Sequence, residues 1–196
     1  MRNVLACLVL GLALSATPAL AQERKLGAPV ETLDKTPQQR VDELFAKLKK
    51  SGNEMAAGQV AGSIGERWND SGSASVDLMM GWAQKAMNEQ KFDVALDFLD
   101  QVTVLRPNYA EGFNRRATVH AMMGNTAKSM ADIERTLELE PRHFGALAGL
   151  AGIMRAQGFK ESALALYQRI LDVYPMMRAA QGELAAVSEE LEPRPI

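Results

Sequence analysis

The side chains with most scope for chemistry are few: one cysteine (Cys7), two histidines (His120 and His143) and 11 methionines in a chain of 196 residues. One Cys and two His cannot complete a Cys/His zinc site within one chain. Neither histidine sits in a nucleophile pattern, and the sequence holds no G-x-S-x-G, H-E-x-x-H, G-x-G-x-x-G or phosphate-loop lysine. Asp132, Glu134, Glu138 and Glu140 are spaced like a solvated helix face. Catalysis is therefore not expected. The methionines recur as Met79-Met80, Met122-Met123 and Met176-Met177, the second pair close to His120. Thioether and imidazole ligands suit Cu(I). Met is also the flexible filler of helical cores, and adjacent helix residues point apart, so one member of each pair is expected inside. Metal handling is the lesser reading, and no cofactor is expected.

Composition narrows the partners. With 22 Lys+Arg against 24 Asp+Glu the net charge is -2, which gives no electrostatic footprint for nucleic acid. Aromatic residues are 6%, too few for the aromatic-rich strands of a sandwich or barrel.

The N-terminus reads as a secretory signal peptide over residues 1–21. Arg2 supplies the positive start, Val4–Ala13 the apolar run, and Ala19-Leu20-Ala21 the small-residue cleavage site. Cleavage after Ala21 removes the only cysteine and leaves no membrane span. The reading that follows is an exported chain without thiol chemistry, expected in a bacterial periplasm. Residues 22–36 are polar and aperiodic, as in a flexible leader. Thr36-Pro37 is a helix start, a cap followed by proline in the first turn. Val41, Leu44, Phe45 and Leu48, then Met55, Val60, Ile64 and Trp68, predict two helices within residues 37–75.

Beyond them the chain repeats itself. Pro107, Pro141 and Pro175 are spaced by 34 residues each, a period of helix-turn-helix units. The windows are 76–109, 110–143 and 144–177. Ala83, Ala117 and Ala151 fall in one column, and Ala95, Ser129 and Ala163 in another, all small enough for two helices to approach closely. Leu96, Met130 and Leu164, and Leu99, Ile133 and Tyr167, are large and apolar. Gln90-Lys91, Gly124-Asn125 and Gly158-Phe159 fall at the turn between the two helices. Residues 178–191 continue as a helix with Leu184, Val187 and Leu191 on one face, and the tail 192–196 stops it with two prolines.

These columns resemble the tetratricopeptide repeat (TPR) family. Arg116 is the clearest departure, standing where the family pattern has Leu. The resemblance implies an all-α solenoid of helical hairpins, a right-handed superhelix with terminal capping helices. The pair in 37–75 would be a degenerate repeat or N-terminal cap, and helix 178–191 would cap the other end. It also implies a concave groove lined by the first helix of each repeat, with Asp77, Glu111 and Gly145 at its edge. Deeper come Met80, Asn114 and Ala148, then Gln84, Thr118 and Gly152, then Met87, Ala121 and Arg155. The subclass that clamps a C-terminal carboxylate needs Lys and Asn where this chain has Met80 and Gln84, so that specificity is not expected.

His120 occupies a packing column and is expected in the core, whereas His143 follows Pro141-Arg142 in a loop where it would cap a helix. Gly145, Gly149 and Gly152 make a smooth stripe at i, i+4 and i+7. The expected use is close packing of the C-terminal helix or the preceding repeat, and the sharper one a docked partner segment. The functional expectation is a non-catalytic interaction adaptor of the bacterial envelope that binds a protein or peptide. Asn114, Arg115 and Thr118 would donate hydrogen bonds to it, and Met80 and Met87 would give apolar contact. The alternative is a self-associating structural subunit of an envelope assembly.

Overall fold

The computed structural model describes residues 35–192. The segment 1–21 read as a signal peptide, nearly all of the segment 22–36 read as a leader, and the end of the tail lie outside the described residues. Nine α-helices run in order within them: α1 (Pro37–Lys50), α2 (Glu54–Asn69), α3 (Ala74–Asn88), α4 (Phe92–Leu105), α5 (Ala110–Met122), α6 (Thr126–Leu139), α7 (Phe144–Ala156), α8 (Lys160–Val173) and α9 (Arg178–Leu191). None is long and apolar enough to cross a membrane.

Local chemistry sets the helix ends. Thr36 and Gln39 form a reciprocal capping box, with the Thr36 hydroxyl accepting from the Gln39 amide at 3.2 Å and the Gln39 side chain from the Thr36 amide at 2.9 Å. Asn53 caps α2 through the Ala56 amide. The turns inside the three hairpins close identically. Lys91, Asn125 and Phe159 donate backbone N–H to Ala86, His120 and Met154, five residues back. This closure needs a left-handed residue, supplied by Gly124 (φ 75) and Gly158 (φ 85), but by Gln90 (φ 58) in the first hairpin.

The small columns then let the hairpins close. Ala83, Ala117 and Ala151 are buried, as are Ala95, Ser129 and Ala163. Helix α3 packs on α4, α5 on α6 and α7 on α8; α5 then stacks on α4, α7 on α6 and α9 on α8. The fold is an all-α TPR-type solenoid. Leu99, Val102, Leu147 and Ile170 are fully enclosed in its core, each contributing about 1.5–3 kcal/mol of apolar burial. Ala180 and Val187 of α9 are buried against α8.

The first hairpin departs from the degenerate-repeat expectation. Helices α1 and α2 pack on each other, but their further contacts are with α8 and α5. Val41, Phe45, Leu48, Ala57 and Ile64 form a small core that borrows Phe144, Val173, Tyr174 and Met176 from the later repeats. The pair therefore lies along the turns that connect one repeat to the next, as a strap across the solenoid. The cause is visible in the loop between α2 and α3. Ser71 donates to Asp77 through both its amide (3.0 Å) and its hydroxyl (2.5 Å), and Arg106 donates to the Ser71 carbonyl, fixing the exit from α2 away from α3.

Candidate functional face and the strap beside it

The groove residues expected from the sequence divide into three groups. Met80 is buried in the core of the first repeat and offers no groove contact, a correction caused by its packing among Val76, Ala83 and Leu99. Thr118, Ala121, Gly145, Gly149 and Gly152 are exposed, while Gln84, Met87, Asn114, Ala148 and Arg155 are half-buried. The third group is already engaged within the chain. Arg115 bonds to Glu111 (3.0 Å), Gln84 (2.9 Å) and Asn69 (2.5 Å). Asn114 donates to Glu111 at 3.0 Å, and the Thr118 hydroxyl bonds back to the Asn114 carbonyl at 3.0 Å. Arg155 is paired with Glu183 and, at 2.5 Å, with Glu190 of α9. Asn114, Arg115 and Thr118 are thus not idle donors awaiting a backbone, because nearer acceptors lie on their own helix and on the strap.

Glu111 is the junction of strap and repeats. It accepts from Arg115 and Asn114 and lies 3.1 Å from His143 Nε2. His143 Nδ1 accepts from the Ala146 amide at 3.1 Å, capping α7, so the ring carries its proton on Nε2 and donates it to Glu111. Burial pushes the Glu111 carboxyl up, but hydrogen bonds from His143 and Arg115, with the Arg115 charge, outweigh it and hold it below the usual range. The indole of Trp68 lies flat on the His143 ring, and the Tyr109 hydroxyl donates to the Asn69 carbonyl at 3.1 Å. Burial pushes the Tyr109 phenol well up, so it stays a neutral donor.

The strap is held at two further places. Arg142 bridges Asp42 (2.8 Å) and Glu140 (2.9 Å) while lying over the Phe45 ring, and Arg178 meets Glu54 at 2.7 Å. Between the start of α1 and the turn before α5 remains a cleft of about 770 Å³, lined among others by Arg40, Arg67, Arg106 and Tyr109.

The acidic residues are less uniform than a solvated face. Asp132 and Glu140 are buried. Asp132 is held by Arg116 through parallel bonds of 2.9 and 2.7 Å, and Arg116 also reaches Asp100 and Thr103, both at 2.8 Å. The family departure at Arg116 is thereby a compensated one. Spacing marks Asp132 only as a helix-face acid and Trp68 only as an apolar helix position, since their partners come from other helices.

The methionine pairs are also mixed. Met80 is buried beside half-buried Met79, and Met176 and Met177 belong to different clusters. Met122 and Met123 are both exposed, against the expectation that one would be core, because α5 ends at Met122 and the turn begins. His120 is buried, and its Nδ1 has no hydrogen-bond partner. The glycine stripe is not covered by α9. A side chain at Gly149 would meet Ile133 of the preceding repeat at 3.4 Å, whereas one at Gly152 meets nothing within 4 Å.

No family model matches the chain. A TPR repeat-containing protein of Rhizobium etli is 44% identical over 180 residues, covering 92% of this chain and 88% of that protein. Among solved structures, the first TPR of Spaghetti (RPAP3) bound to the HSP90 peptide SRMEEVD superposes with a TM-score of 0.56 at 21% identity, covering 59% of this chain and 92% of that one. The TPR2B domain of yeast Sti1, in a complex with an Hsp70 peptide, gives 0.55 at 17%, covering 60% and 99%. The structural likenesses establish the fold, and the relative's identity and coverage establish the kinship: this chain belongs to the TPR repeat-containing proteins.

Proposed function

We propose that the chain is a non-catalytic adaptor, exported to the bacterial envelope, that holds a peptide or helix of a partner protein along α3, α5 and α7. One observation carries this reading. The second halves of these helices present Met87, then Thr118 and Ala121, then Gly152, a half-buried to exposed row of small and apolar side chains beyond the reach of the strap. The starts of α5 and α7 are tied to α2 through Arg115 and His143, with Glu111 between them, and serve as a fixed wall. A peptide laid on this row meets little bulk at Ala121 and Gly152 and finds apolar contact at Met87. Preformed faces of this kind bind without the entropic cost of ordering themselves. The solved relatives that hold HSP90 and Hsp70 peptides support a peptide as the ligand class. The export reading rests on residues 1–21 and is checked by N-terminal sequencing of the envelope-fraction protein, which is expected to begin at Gln22.

The test is photo-crosslinking in cells from a reactive residue placed at Thr118. One dominant protein adduct is expected, lost when Gly152→Leu is added. Failure to form any adduct above that of a probe on the outer face of α8 would overturn the adaptor reading.

A further inference from the structure

We propose that the outer face of the first repeat, formed by α3 and α4 on the side away from α5, is a self-association surface that receives a second copy of this chain. The repeat supplies its own comparison. Leu78, Gly112 and Ala146 share one column, and Trp82, Arg116 and Leu150 the next. In the second and third repeats both columns are covered by the helix before them. A side chain at Gly112 would come within 2.8 Å of Val102, Arg116 reaches Asp100 and Thr103, and Ala146 and Leu150 pack with Ile133 and Leu137. Among the described residues no helix takes that place in the first repeat, because the Ser71 loop directs α2 to the strap position. There the columns hold their largest side chains and leave them open: Leu78 is 53% exposed and Trp82 46%, with Val94 at 43% and Leu105 at 54% on α4. Leu78, Trp82 and Lys85 form one stripe on α3, and Val94, Phe98 and Leu105 form one on α4.

The two stripes fit each other across a two-fold axis parallel to the helices. Trp82 and Phe98 lie equally far in sequence from the Gln90 turn, and their rings are 5.4 Å apart, so they stand at the same height. Turning one face onto its copy about that axis lays α3 over α4 of the second copy. Trp82 then meets Phe98, and Leu78 approaches Leu105. Lys85 faces the acidic edge of Asp93 and Asp97, all three exposed. A hollow of about 320 Å³ beside Trp82 and Phe98 gives an incoming side chain a seat. The contact sets a first helix on a second helix, as α5 already sits on α4 within the chain. It is isologous, so it closes at a dimer, and because Met87 lies on the opposite side of α3 from Leu78 it leaves the peptide row of α3, α5 and α7 free.

Sedimentation equilibrium over a concentration series, on chain purified after export, decides the matter. A reversible monomer–dimer equilibrium is expected. Trp82→Glu raises the dissociation constant by about tenfold or more, as removal of a central aromatic anchor does, with helical circular dichroism unchanged. Lys85→Glu weakens the dimer, and adding Asp93→Lys with Asp97→Lys restores it. Thr118→Glu, on the peptide row, leaves it intact. A monomer at every concentration overturns the proposal, as does a dimer indifferent to Trp82→Glu and Val94→Glu.

Discussion

The indole of Trp68 and the imidazole of His143 stack with centroids 4.0 Å apart and planes 11° from parallel. One ring ends the strap helix α2 and the other opens α7, so this contact fixes how the first hairpin lies against the repeats. Phe144 at 5.0 Å and Phe45 at 5.9 Å complete the aromatic group around the indole. Trp68→Ala is expected to cost about 2–3 kcal/mol, from lost apolar burial and lost ring contact. Denaturant unfolding measures the loss, and amide exchange is expected to speed up in α1 and α2 before α5–α8.

Arg116 and Asp132 occupy columns that hold Leu150 and Leu166 one repeat later. Arg116→Ala leaves the Asp132 carboxylate buried without its partner, and a loss of about 3 kcal/mol is expected. Arg116→Leu with Asp132→Leu removes both charges at once, and is expected to lose clearly less than Arg116→Ala alone. A double-mutant cycle by urea unfolding gives the coupling.

His120 is buried with Nδ1 unpartnered, and burial pushes its pKa below 6.5. The unfolded chain therefore binds the proton more readily than the folded one. The stability due to neutral His120 is complete above 6.5 and is lost as pH falls through the depressed folded value. The same column holds Met154 in the third repeat. His120→Met is expected to stabilise by about 1 kcal/mol and to flatten the urea midpoint between about pH 7.5 and about pH 5. The Glu111 contribution acts at lower pH, being lost as pH falls below 4.5 through the depressed value of its carboxyl.

Gly149 and Gly152 separate by environment. Gly152→Leu has open space before it and is expected to leave stability unchanged or raise it by up to about 1 kcal/mol, through better helix propensity. Gly149→Leu brings its Cβ to 3.4 Å from the Ile133 side chain, and is expected to be less stable than Gly152→Leu, by about 1 kcal/mol. Thermal unfolding of the two variants reads the difference.

Gln90 holds the left-handed position that Gly124 and Gly158 hold in the other hairpins. Gln90→Gly relieves the Cβ crowding there, and a gain of about 0.5–1 kcal/mol is expected in the denaturant midpoint.

The sequence by itself determined the helix starts, the repeat period and the small contact columns, which depend on neighbours along the chain. Thr36-Pro37 with Gln39 started α1, the 34-residue period set the hairpins, and Ala83, Ala117 and Ala151 marked where helices touch. These are local or periodic signals, because a helix shows its buried face through its own spacing. Tertiary structure alone decided where the first hairpin lies. Trp68 meets His143, Asp42 meets Arg142 and Glu54 meets Arg178 on a surface that exists only after three repeats have stacked and brought their turns into line. The same holds for Arg115, which reads as a free groove donor in sequence and is claimed by Asn69 and Gln84 in space. It holds too for Trp82, an ordinary core position by period, left open because its expected cover was fastened elsewhere.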